Sequence, residues 1–158
     1  MSSQLGTLSK LLAFGIISMG GAAQAHDVTA GSLKIGHPWV QVVPGLSGGA
    51  GYLTVTNAGP EADRLLGATV NGTAPAEIHS MSGEGGRMRP VKEGLEIKPG
   101  STLTLAPGAY HFMLPDLQGP FVSGALLKGV IQFQKAGAIP VEFAVEPVSS
   151  QKPAHHGH

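Results

Sequence analysis

The sequence predicts an all-β domain, a sandwich or a barrel of about ten short strands. In segments such as Ala50–Asn57 and Thr102–Leu105, aliphatic side chains alternate with side chains that carry a hydroxyl group. This period of two residues is typical of a half-buried strand. The 158 residues include 24 glycines and 12 prolines, which interrupt these segments at short intervals. Long stretches with the spacing of an amphipathic helix are missing, so the sequence favours strands joined by turns.

Turn signals separate the predicted strands. Asn71-Gly72 is a hairpin dipeptide, and the glycines of Gly83–Gly86 accept positive φ at no steric cost. Pro38 predicts a strand start or an edge, and Pro115–Ser123 is a long loop, as expected beside a site at one end of a sandwich. The predicted strands are Val28–Ile35, Ala50–Asn57, Arg64–Val70, Ala76–Ser82, Thr102–Leu105, Tyr110–Leu114, Gly124–Gln134 and Ile139–Val148.

Residues 1–25 have the pattern of a secretory signal peptide. Lys10 precedes the apolar run Leu11–Met19, and Ala23-Gln24-Ala25 is a small-residue cleavage site. The run is shorter than the roughly 20 residues of a membrane span, which favours cleavage over a retained anchor. The sequence therefore predicts a periplasmic protein without stable membrane insertion, with a domain over residues 26–148 and a flexible, His-rich tail over residues 149–158.

The composition excludes several functions. The chain has no cysteine, which excludes blue-copper centres and sites bridged by thiolates. The formal net charge is zero and no basic patch stands out, so nucleic acid is not an expected partner. No G-x-S-x-G motif or carboxylate pair indicates catalysis, and we expect a protein that is not an enzyme.

Two H-x-M pairs dominate the middle of the chain. Residues i and i+2 of a strand share a face, so His111 and Met113 are expected opposite an apolar face made by Tyr110, Phe112 and Leu114. His79 and Met81 repeat this spacing.

The four residues Gly83–Gly86, taken as a hairpin loop, pair Met81 with Met88. His79, Met81 and Met88 then share one face, and a strand with His111 and Met113 can close the site. Soft thioethers together with imidazoles favour Cu(I). The competing interpretation is that the methionines fill the core.

These residues resemble the periplasmic copper chaperones of the PCuAC type. The similarity rests on H-x-M, M-R-P-V over Met88–Val91, and Y-H-x-M-L, and it extends over about residues 28–148. It implies a cupredoxin-like sandwich or barrel with His79, Met88, His111 and Met113 as Cu(I) ligands and Met81 as an accessory residue. The loop between His79 and Met88 is shorter than is usual in the family, which leaves the register of the first hairpin open.

The resemblance implies delivery of copper to an accepting protein, such as the copper centre of cytochrome c oxidase or one of its assembly factors. Copper storage or resistance remains an alternative. So does a redox enzyme built on His26, whose imidazole and free α-amine would chelate Cu(II) after cleavage at Ala25. A sandwich that merely tolerates these residues is a third alternative. The tail histidines His155, His156 and His158 are further candidate Cu(II) ligands.

Overall fold

The chain folds into strands connected by turns and loops. A computed structural model describes residues 25–42, 47–70, 73–81, 85–117, 119 and 121–147, and these ranges contain no helix. Within them, accordingly, no helix is long and apolar enough to cross a membrane. Nearly all of the predicted signal peptide and the whole predicted tail, with His155, His156 and His158, lie outside the described residues.

The predicted all-β fold is confirmed, and most predicted strands are found within two or three residues of their expected ends. The predicted strand Val28–Ile35 was wrong in two respects: it is two strands joined by a turn at Gly31, whose φ is +58°, and the second of them continues to Val42. The strands are β1 (Val28–Ala30), β2 (Leu33–Val42), β3 (Gly49–Asn57), β4 (Asp63–Val70), β5 (Glu77–Ser80), β6 (Arg89–Pro90), β7 (Leu95–Ile97), β8 (Thr102–Leu105), β9 (Tyr110–Leu114), β10 (Leu126–Phe133) and β11 (Gly137–Glu146).

The strands form one continuous hydrogen-bonded sheet in the order β6-β5-β9-β3-β2-β11-β10-β4-β7. Strand β3 shares one of its edges between two partners, β9 along Gly49–Gly51 and β8 along Leu53–Thr56. Strand β2 likewise pairs with β1 near its start and with β11, in parallel, near its end. Because partners change halfway along β2 and β3, the sheet curls and encloses its own core.

The core is a single cluster of buried apolar side chains contributed by strands all along the sheet. Phe112 of β9 and Phe143 of β11 are its largest fully buried members. Successive side chains of a strand point to opposite faces. Burial of Phe112 therefore directs its neighbours on β9 to the outer face of the sheet.

A bulge in β2 sets the register on that outer face. The pairing of β2 with β3 shifts between Gly36 and Trp39, and His37 adopts a φ of +44°. Pro38 has no N–H to contribute to a ladder, and a bulge is a position that tolerates this; Pro38 thus lies inside β2 rather than at its start. The His37 ring contacts the carboxylate of Glu146 at 3.0 Å, which gives this histidine a structural partner.

Candidate metal centre

A row of four rings crosses the outer face of the sheet, one on each of the strands β2, β3, β9 and β5. Trp39 lies opposite Tyr52 and His79 lies opposite His111, while Tyr52 and His111 follow in register from the neighbouring pair of Gly51 with Phe112. The ring centroids are 4.3 Å apart for Trp39 and Tyr52, 6.4 Å for Tyr52 and His111, and 5.9 Å for His79 and His111. The fold thus brings together two histidines that are distant in sequence.

A second row lies beside the first on the same face. Met113 of β9 pairs with Ala50 of β3 and with Glu77 of β5, and Ala50 pairs with Gln41 of β2. His111 and Met113 therefore share one face, as the alternation of this strand predicts, with the core residue Phe112 between them.

The first hairpin has the register predicted from its glycines. Strand β5 pairs with β6 through Ser80 with Arg89 and His79 with Pro90. Continued by one step, this register sets Met81 opposite Met88. Ser82 and the first two residues of the predicted loop, 83 and 84, lie outside the described part of the chain.

The methionines and one histidine surround a cavity of about 290 Å³. His111, Met81, Met88 and Met113 line it, together with residues of β2 and β3 that include Gln41 and Tyr52. Their exposure differs widely: His111 is 5% exposed, Met81 and Met113 are half-buried, and Met88 is 53% exposed. His79 does not line this cavity. It lies on β5, on one side of His111, while Tyr52 lies on β3, on the other side.

The two imidazoles are held by different hydrogen-bond partners. Nε2 of His79 lies 3.3 Å from Oε2 of Glu77, while Nδ1 of His79 is buried and finds no partner among the described residues. A buried nitrogen without a partner is unusual, since nearly all buried polar atoms are hydrogen-bonded. This atom is available to a ligand.

Burial lowers the pKa of His111, and the charge of nearby His79 lowers it further. A hydrogen bond from a ring N–H to the backbone carbonyl of Ala109 acts in the opposite direction, because it stabilises the protonated ring. His111 is therefore a neutral imidazole at pH 7, with one nitrogen bound to Ala109 and a lone pair on the other.

The donor set consists of imidazoles and thioethers. Within the described ranges, no three residues drawn from His, Cys, Asp and Glu come together to hold a metal ion. The three thioethers that line this cavity favour soft ions over Zn²⁺, Mg²⁺ and Ca²⁺.

The remaining candidates are placed elsewhere. His26 is exposed and lines a different cavity with Lys128 and Glu142 of β10 and β11, so it does not join the His/Met cluster. The cavity opens beside β2, β3 and β9, and no described residue of the loop Pro115–Ser123 lines it, so the expectation of a site beside this loop stays a prediction.

Three residues of the site were missed by sequence reasoning, namely Gln41, Tyr52 and Glu77. Glu77 could have been found, because it stands two positions before His79 and so shares its face. Gln41 and Tyr52 depend on which strands become neighbours, and their local sequence contains no signal for this.

Taken together, the fold and the cluster define a class, the small cupredoxin-like domain with a His/Met pocket on its surface. The LpqE-like family matches residues 33–145, and the chain belongs to this family. A relative in Leifsonia xyli subsp. xyli, described as "Putative lipoprotein Lxx21020", is 28% identical over 138 residues, which cover 86% of this chain and 82% of the relative.

Solved structures of PCuAC domains share the fold. The copper-bound PCuAC domain from PmoF2 has a TM-score of 0.67 and 27% identity, and the match covers 77% of this chain and 98% of that domain. CuI-DR1885 from Deinococcus radiodurans has a TM-score of 0.58 and 26% identity, over 71% of this chain and 76% of that one. The predicted resemblance to the PCuAC type is confirmed.

Proposed function

We propose that this protein is a periplasmic copper chaperone that binds Cu(I) through His79, Met88, His111 and Met113, with Met81 as an accessory ligand. The observation that carries the proposal is the cavity in which three thioethers meet the neutral imidazole of His111. His79, whose buried Nδ1 has no hydrogen-bond partner among the described residues, lies opposite His111 on the neighbouring strand β5.

The chemistry of these donors suits Cu(I). Thioether sulfur is soft and imidazole is borderline, which is the donor combination that Cu(I) prefers. The chain has no cysteine, so no thiolate competes with the methionines for the ion. The thioethers of the proposed ligands carry no proton, so they bind the ion without being deprotonated.

The spacing of the two histidines also suits a shared ion. Metal–imidazole bonds are about 2 Å long, and two imidazoles bound to one ion have their ring centres about 6 Å apart when these bonds are nearly opposed. The observed separation of His79 and His111 is 5.9 Å. This centroid separation is close to what one ion shared by both rings requires.

Related proteins support copper as the cargo. The structure of the PCuAC domain from PmoF2 is described as copper-bound, and that of DR1885 as its CuI form. Both have the fold of this chain at about a quarter identity, which makes copper the first ion to test here.

The differences in exposure suit transfer by ligand exchange. Met88 is 53% exposed, whereas His111 is almost fully buried. An incoming ligand from an acceptor can replace Met88 first while the buried histidine still holds the ion. By family resemblance, the acceptor is cytochrome c oxidase or one of its assembly factors, and the ligand set leaves no position for a substrate, so we propose no enzymatic activity.

The tail and the mature N-terminus extend this proposal. His155, His156 and His158 would gather Cu(II), and their covalent link to the domain raises the effective concentration for internal transfer after reduction. His26, in its separate cavity, would form a further Cu(II) site if the signal peptide is cleaved after Ala25.

A Cu(I) competition titration against a colorimetric chelator tests the site. The tail histidines are replaced by alanine, so that only the domain is measured. We expect one tight equivalent, weakened at least tenfold by Met113→Leu and by His111→Ala. Unchanged affinity in both variants would contradict the proposed site. Transfer of the bound ion to an acceptor protein then distinguishes delivery from storage.

A further inference from the structure

We infer that Glu77 is a positioning residue that selects which nitrogen of His79 binds the metal. Its carboxylate holds the Nε2–H of His79, and this leaves Nδ1 as the atom that takes the ion. The inference rests on the proposed function for the identity of that ion, but its first consequence is a property of the metal-free protein.

Strand geometry sets up the contact. Glu77 and His79 are two residues apart on β5 and point to the same face. The Glu77 side chain is 72% exposed and that of His79 is 19% exposed, and Oε2 lies 3.3 Å from Nε2. The carboxylate thus reaches the ring from the solvent side.

The hydrogen bond fixes the tautomer. An ionised carboxylate only accepts hydrogen bonds, and a neutral imidazole has one nitrogen that donates and one that accepts. Nε2 must therefore carry the proton that Glu77 binds, and Nδ1 carries the lone pair. Nδ1 is the one side-chain nitrogen or oxygen within the described ranges that is buried without a hydrogen-bond partner, and a soft cation would bind its lone pair.

His111 shows the same arrangement on the neighbouring strand. One of its ring nitrogens is bound to the backbone carbonyl of Ala109, which leaves a lone pair on the other. Metal-binding histidines commonly have their second nitrogen held in this way, and such outer partners orient the ring and raise its basicity. The backbone does this for His111, and a side chain does it for His79, so only the second contact can be changed by mutation.

The first experiment uses protein without metal. Nitrogen-15 NMR of the imidazoles distinguishes the two tautomers, and we expect His79 to be protonated at Nε2. Glu77→Ala should give a mixture of tautomers, whereas Glu77→Gln should keep the parental form because the amide oxygen still accepts. A His79 that is protonated at Nδ1 in the parent protein would overturn the inference.

The second experiment measures Cu(I) affinity by chelator competition. We expect Glu77→Ala to weaken binding about tenfold, at the lower end of the range for lost outer partners. Glu96→Ala is the matched control, because Glu96 is also an exposed glutamate followed by a buried isoleucine in a short strand. It should leave the affinity within twofold.

A double-mutant cycle separates positioning from direct ligation. If Glu77 acts through His79, Glu77→Ala should change affinity less than twofold when His79 is already alanine. A tenfold loss that persists in this background would show that Glu77 binds the ion itself, and the inference would fail. If His79→Ala alone leaves Cu(I) affinity unchanged, the proposed ligand set is wrong. The tautomer of His79 is decided independently, by the NMR experiment on the metal-free protein.

Discussion

Replacement of Met88 by leucine should weaken copper binding without destabilising the fold. Leucine keeps most of the volume and apolar surface of methionine but removes the sulfur. Met88 is 53% exposed, so its burial accounts for only about half of the ~1.5–3 kcal/mol that a fully buried side chain contributes. Leucine retains nearly all of this, and we expect the free energy of unfolding to change by less than about 0.5 kcal/mol.

The loss of affinity should be larger. An outer partner of a metal site is typically worth about ten- to a hundredfold in affinity, and a direct ligand should be worth at least the lower figure. We therefore expect Met88→Leu to weaken Cu(I) binding by at least tenfold, or about 1.4 kcal/mol. Chelator competition measures the affinity, and urea unfolding of the metal-free protein measures the stability.

Leu66 provides a matched control for this experiment. It is 47% exposed on β4, away from the cavity. Leu66→Met in the Met88→Leu protein restores the number of methionines at a similar exposure but in the wrong place, and it should not restore affinity. Parental affinity in Met88→Leu, with or without this second change, would refute the assignment of Met88 as a ligand.

Three further predictions concern the metal-free protein. The pKa of His111 is lowered in the folded state, so the unfolded chain binds more protons than the folded chain as the pH falls. The free energy of unfolding should therefore decrease below about pH 6.5. Urea titrations from pH 7.5 to 5 should show a smaller decrease for His111→Gln than for the parent protein. Phe112 is fully buried beneath the site, so Phe112→Ala should cost about 3–5 kcal/mol in the same assay, and a loss below about 1 kcal/mol would contradict its role in the core. Asn57 is buried, donates to the carbonyls of Glu61 and Ile97, and accepts from the N–H of Gly59; Asn57→Ala should lower stability by about 1–3 kcal/mol because it leaves these groups unpaired, as thermal unfolding would show.

Local patterns predicted the parts of the site that lie within one hairpin or one strand. The alternation of Tyr110–Leu114 predicted the common face of His111 and Met113, since a strand has a strict period of two. The glycines between Met81 and Met88 predicted the hairpin register. Both depend on residues that are close in sequence, where the geometry allows few alternatives.

The order of the strands could not be predicted in the same way. Strand β9 lies between β3 and β5, and this places Tyr52 beside His111 and His111 opposite His79. Pairing between distant strands depends on the packing of the whole core around residues such as Phe112, and no short segment specifies it. For this reason the sequence offered these residues as candidate ligands, while their place on the face of the sheet depends on the strand order of the whole fold.

The ring row gives the protein an internal optical reporter. Trp39 is the one tryptophan of the chain, and its indole stacks on Tyr52 at 4.3 Å, one ring away from His111. Its fluorescence emission arises from a single position and changes with the polarity and quenching of its immediate surroundings. We therefore expect the emission to change when the cavity is occupied, with Tyr52→Phe as the variant that changes the intervening ring and leaves every proposed ligand in place.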